Sequence, residues 1–151
     1  MDTTLASLHK LFERDLNKLE EEIRLYPNED ALWKLAKGIK NPGGNLCLHL
    51  CGNLQYYFGA VLLQSGYKRN RDLEFAARDV PVSELYKEIA GAKKAVLSTL
   101  ANFKPEALDT PYPEEVFGHP VSNIFFMIHL AGHLNYHLGQ VNYHRRLIAM
   151  E

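Results

Sequence analysis

Four long stretches of the chain place an apolar residue at every third or fourth position, and proline or glycine breaks the pattern between them. That spacing returns side chains to one face of an α-helix, so each stretch predicts a helix with a buried stripe. The first covers residues 3–26, with Leu5, Leu8, Leu11 or Phe12, Leu16, Leu19 and Ile23 on one face, and Pro27 ends it. A short helix over 30–37 brings Trp33 and stops at Gly38. After the breaker Asn41-Pro42-Gly43-Gly44, the second long helix covers 45–64. Residues 67–80 are polar and read as a loop. The third helix covers 83–103 with Ser83 as its N-cap, a proline-rich connection follows over 104–120, and the fourth helix covers 122–149. No apolar run keeps a period of two. The expectation is an all-α fold, a four-helix bundle forming one domain over 1–151, with a short extra helix between the first two long ones. Helix order stays open.

Chemistry concentrates in the fourth helix, where His129, His133 and His137 recur every four residues. A four-residue step advances 400°, so each imidazole lies one turn above the last. Neutral imidazole ligates zinc, nickel and iron, and an i, i+4 pair can chelate one ion. His129 and His137 are ~12 Å apart along the axis, too far to share an ion comfortably. The workable pairs are therefore His129/His133 and His133/His137. His49, on the second helix, offers a third ligand, and three histidines with open positions make the catalytic rather than the closed structural pattern of a zinc site.

The competitors are weaker. Cys47 and Cys51 lie about 200° around the second helix from His49 and should pack as small hydrophobes. His119 sits beside Pro120, and His9 belongs to the amphipathic first helix. No His-Glu-x-x-His, Glu-x-x-His pair, glycine-rich phosphate loop or Gly-x-Ser-x-Gly elbow occurs. The aromatics Tyr56, Tyr57, Phe58, Phe125, Phe126 and Tyr136 read as core. Residues 49–59 and 129–139 share histidine, leucine, glycine and tyrosine at matching places. This echo predicts that the second and fourth helices pack closely at Gly52 and Gly132 with their histidine faces converging.

With 151 residues, 46% hydrophobic and 23% charged, the chain is long and apolar enough to bury a core unaided. A net charge of −1 favours neither nucleic acid nor an anionic membrane. The N-terminus lacks a charged-then-apolar leader pattern and no apolar span reaches membrane length, so the expected location is the cytoplasm.

The second-helix segment His49-Leu-Cys-Gly-Asn53-Leu and the C-terminal His133-Leu-Asn-Tyr-His137-Leu-Gly-Gln140 resemble the motifs of the DinB/YfiT-like superfamily of four-helix-bundle metalloproteins. Arg69-Asn-Arg-Asp72-Leu-Glu74-Phe75 is similar to a segment of one of its branches. The resemblance implies three metal ligands, His49, His133 and His137, a divalent ion (zinc or nickel), a homodimer and a bacterial origin. It also implies a small-molecule substrate, with the ion activating a low-molecular-weight thiol, or water, for transfer or hydrolysis. A non-catalytic, stress-related metal-binding bundle that dimerises is the alternative. Asn53, Gln140 and His129 are candidates to support the ligands or touch substrate, and no general base is legible; Asp72 and Glu74 read as ion-paired with the neighbouring arginines. Leu138 departs from the family pattern, which commonly has arginine there.

Overall fold

The computed structural model describes residues 2–150. Its first helix, α1 (Thr3–Arg24), is capped by Asp2, whose carboxylate accepts from the amides of Thr4 and Leu5. The expected stripe is buried, and Phe12 rather than Leu11 completes it; Leu11 is 40% exposed. The short helix expected over 30–37 is a single 3-10 turn, Asp30–Trp33, which inserts Ala31, Leu32 and Trp33 into the core.

Helix α2 (Gly43–Leu54) begins two residues before its expected start. Gly43 and Gly44 form its first turn, not a break before it. A Cβ at Gly43 would fall 2.0 Å from the Tyr26 hydroxyl, and the Gly43 amide donates to Nδ1 of the buried His144. From Gln55 to Leu62 the helix continues in the wider π form. There the carbonyls of Tyr57 and Phe58 accept from the hydroxyls of Tyr112 and Thr99, partners outside the helix.

The expected loop 67–80 contains a further helix, α3 (Arg71–Ala76). Asn70 caps its start, and Asn45 of α2 donates to the carbonyls of Glu74 and Ala77, docking it on α2. Helix α4 (Val82–Asn102) starts after Pro81, so Ser83 lies inside the helix rather than capping it. Helix α5 (Asn123–Ala149) follows a long connection, and Ser122 caps it by accepting from the Phe125 amide. Among the described residues there is no strand, only an isolated bridge between Pro111 and Ser122.

Each of α1 and α2 packs against both α4 and α5, while α1 and α2 touch little. The four long helices therefore form a square in which α1 and α2 are diagonal, not the sequential order of a simple up-and-down bundle. A single cluster of buried side chains fills its centre. The α2–α5 edge of the square carries the histidines. Of the aromatics expected in the core, Phe58 and Phe126 are buried and Tyr56 and Tyr57 half-buried, whereas Phe125 and Tyr136 are exposed. The last two lie on the face of α5 turned away from the core, opposite Leu130 and Leu134, so the period of those leucines already argued against a core position for them. No described helix is long and apolar enough to cross a membrane.

Candidate metal centre

Where α2 faces α5, one ring nitrogen from each of His49, His133 and His137 lies within 4.8 Å of the other two. His49 is buried and the two α5 histidines are half-buried. The Nε2 atoms of His49 and His133 are 3.1 Å apart. Two nitrogens bound to one tetrahedral ion at ~2.0–2.1 Å would be separated by about 3.4 Å, so the spacing is that of ligands around a shared cation.

Hydrogen bonds at the far sides of the rings set which lone pairs point inward. Nδ1 of His49 faces Oε1 of Glu74 at 3.0 Å. A carboxylate only accepts, so the proton sits on Nδ1 and Nε2 presents its lone pair to His133. Nδ1 of His137 donates to Oε1 of Gln140 at 2.7 Å, which frees its Nε2 in the same way. His133 differs: its Nδ1 is buried without a hydrogen-bond partner.

Electrostatics keep the α5 pair neutral. Burial pushes His133 down to about 3, and the neighbouring His137, His49 and His129 and the Arg69 guanidinium add to the effect. His137 is also lowered, again chiefly by burial, against a smaller upward pull from its bond to Gln140. Neutral imidazole is the form that ligates metal. The donor set, its inward lone pairs and its protonation fit a divalent ion, so the cluster could hold one.

Glu74 is the residue that reasoning from sequence underrated. Its carboxylate is buried and is gripped by Arg69, whose Nε reaches Oε2 at 2.9 Å and whose second guanidinium nitrogen reaches Oε1 at 3.0 Å. The ion pair with a neighbouring arginine was legible; the bond to His49, 25 residues upstream, was not. Asp72, the other acidic candidate, is exposed. Gly52 makes room for this carboxylate, because a Cβ there would fall 1.8 Å from Oε2 of Glu74. The expected close contact between Gly52 and Gly132 does not occur. Gly132 faces open space, with nothing within 4 Å of an added Cβ.

The remaining candidates separate. Gln140 touches a cluster member directly. Asn53 is buried one turn beyond His49, and its Oδ1 has no hydrogen-bond partner. His129 lies outside the cluster: it is exposed, and its ring packs on Phe117 at 4.9 Å and along Phe126 at 5.8 Å. Cys47 and Cys51 are free and buried in the core. The Cys51 thiol is held well above the usual range by its hydrogen bond with Cys47 and by burial, so it stays protonated. His119 is exposed on the connection before α5.

Fold and site together define a helical bundle with a three-histidine cluster able to hold a metal ion on the edge between two helices. Residues 11–141 match the family model of the DinB superfamily, and the chain belongs to that superfamily. A comparison with curated proteins finds no match.

Proposed function

We propose that His49, His133 and His137 bind a divalent ion, zinc or nickel, and that the chain is a metal-dependent enzyme acting on a small-molecule substrate. The observation that carries this reading is the Glu74–His49 pair facing the Nε2 of His133. A carboxylate behind a ligand histidine fixes its tautomer and raises its basicity. Three neutral ligands leave a bound ion its full charge, and its chemistry is to lower the pKa of a thiol or water, as zinc brings water from ~16 to ~7.

The chain's own groups do the rest. Glu74 holds the proton on Nδ1 of His49, and Gln140 holds that of His137. Arg69 holds the Glu74 carboxylate in place, and its positive charge lies close enough to His133 to suppress protonation there. No carboxylate is among the three ligands, so the centre retains a net positive charge that favours an anionic thiolate over a neutral thiol. Resemblance to the family, rather than this charge alone, makes a low-molecular-weight thiol the preferred co-substrate, with S-transfer the reaction class and hydrolysis the variant if water takes the open position. The half-buried setting of His133 and His137 leaves an approach for a small molecule from the solvent side of α5. A cytoplasmic location and a homodimer belong to the same reading.

Cobalt titration of the untagged, metal-free protein tests it. One equivalent should give a visible spectrum of four- or five-coordinate cobalt, and a small thiol should add a thiolate-to-cobalt band. A spectrum indifferent to thiols would keep the metal and replace thiol chemistry with hydrolysis or with a non-catalytic metal-binding bundle. No cobalt binding would overturn the reading.

A further inference from the structure

Six large apolar side chains stand exposed along α5 and its last turn: Phe125, Ile128, Tyr136, Tyr143, Leu147 and Met150, with Tyr136 and Tyr143 65% and 66% exposed. Between them the row is completed by Gly132 and Gly139, where an added Cβ would meet nothing within 4 Å. At 100° per residue all eight positions fall within an arc of about 100°, on the side of the helix opposite the buried Leu130, Leu134 and Val141. A solvent-facing helix surface would ordinarily carry charge along that arc. This one is apolar apart from the exposed His129 and Arg146, which sit at its two margins.

The order of the row is palindromic. From Phe125 to Met150 the steps are three, four, four, three, four, four and three residues, the same read from either end. A two-fold axis between positions 137 and 138 therefore lays the row onto itself in antiparallel sense. Phe125 then meets Met150 of a second copy, Ile128 meets Leu147, Gly132 meets Tyr143, and Tyr136 meets Gly139. Both tyrosines thus face a glycine near the middle, where crossing helices come closest, and large side chains meet only towards the ends, where the axes diverge. Arg146 lies over the Tyr143 ring at 5.2 Å from its centroid, which holds that ring in place before any contact forms.

The geometry points to this face of α5 as the surface on which a second copy of the chain docks, antiparallel and in that register. The occupant is fixed by self-complementarity: an isologous contact requires one patch to match itself under a two-fold rotation, and the palindrome meets that requirement. Size agrees. Side chains of ~150–250 Å² each, exposed to these extents, offer on the order of 700 Å², close to the ~800 Å² per partner of a standard interface. The rotation keeps the histidine-bearing flanks of both helices on the same side, with His137 nearest the axis. The inference rests on the homodimer of the proposed reading and names its surface, but it is argued from packing and does not require that metal bind, so its failure leaves the three-histidine site untouched.

Sedimentation equilibrium of the full chain over a range of concentrations is the first measurement, with a dimer expected. Gly139→Leu should convert it to monomer without lowering thermal stability, because the added side chain enters open space within the chain and replaces a helix-weakening glycine. Tyr136→Glu should do the same by placing a charge in the contact. For the register, the double variant Ile128→Cys with Leu147→Cys should oxidise to a covalent dimer, while each single variant should not. The two introduced thiols are ~28 Å apart along one helix and cannot pair within a chain. A monomer at every concentration overturns the proposal and leaves the face to a different protein. A dimer that survives both Gly139→Leu and Tyr136→Glu places the contact elsewhere. Cross-linking by the single variants, or none by the double, overturns the antiparallel register.

Discussion

A methyl group at Gly52 would lie 1.8 Å from Oε2 of Glu74, so the smallest possible substitution there must push the carboxylate away from His49. Loss of such a supporting group typically weakens metal binding roughly 10–100-fold. Gly52→Ala should therefore show that loss in a cobalt titration while the bundle stays folded, and unchanged affinity would remove Glu74 from the site. The pH response is set by His133. Its folded pKa, about 3, lies below the 6.5 of a free imidazole. Between those values the unfolded chain takes up a proton that the folded one refuses. The stability of the metal-free protein is thus complete above pH ~6.5 and falls as pH drops towards 3. The lowered pKa of His137 adds to this with the same sign. Thermal melts between pH 7.5 and 4 should decline more steeply for the native chain than for His133→Asn. Parallel curves would show that His133 is protonated as easily folded as unfolded.

At the scale of elements, α3 is held by side chains from elsewhere rather than by its own length. Six residues are fewer than two turns, too short to be stable alone. Asn45, fully buried, donates to the carbonyl of Glu74 within it and to that of Ala77 just beyond it, across 29 and 32 residues of sequence. Asn45→Ala takes that partner from the buried Glu74 carbonyl, at about 1–3 kcal/mol, while the Ala77 carbonyl keeps its bond from Arg78. It should also speed amide exchange over 71–76 ahead of the rest of the chain, and uniform exchange would refute this view of α3. The same fact explains what could be read beforehand. Long helices reveal themselves because burial of a stripe imposes a period, and the stripe from Leu5 to Ile23 was visible for that reason. A helix kept by two remote hydrogen bonds leaves no period, so 67–80 read as loop. The π segment Gln55–Leu62 was equally invisible, since its displaced carbonyls are taken up by Thr99 and Tyr112 from distant parts of the chain. For the cluster, spacing along α5 put His133 in every workable pair but left His129 and His137 equal. What separates them is where α2 sets His49, a tertiary fact that only the family resemblance anticipated.

Across the whole molecule, the edges of the square are tied by different means. On the α1–α5 edge the buried Glu22 accepts from Arg145 at 2.8 Å and from Asn142 at 2.8 Å, and Asp15 accepts from Asn135. The α2–α5 edge has instead His49 against His133 and His137, where the direct polar contact is the 3.1 Å approach of the His133 Nε2 to the His49 Nε2. A contact between two neutral rings ties the helices less strongly than a buried ion pair, so this edge gains most from a cation. Binding only to the folded chain at a hundred times Kd adds ~2.7 kcal/mol of stability. For a chain of this size each kcal/mol is worth ~2–4 °C in Tm, so saturating metal should raise Tm by roughly 5–10 °C. The protection should be local. Amide exchange ought to slow over 45–54, over 71–76 through Glu74, and over 129–140, while the α1–α4 edge changes little. His137→Ala removes a half-buried ligand but no core packing, so it should abolish the metal-dependent gain and leave the metal-free Tm nearly unchanged. If Tm rises equally in that variant, the ion binds elsewhere, and the α2–α5 edge is held by packing alone.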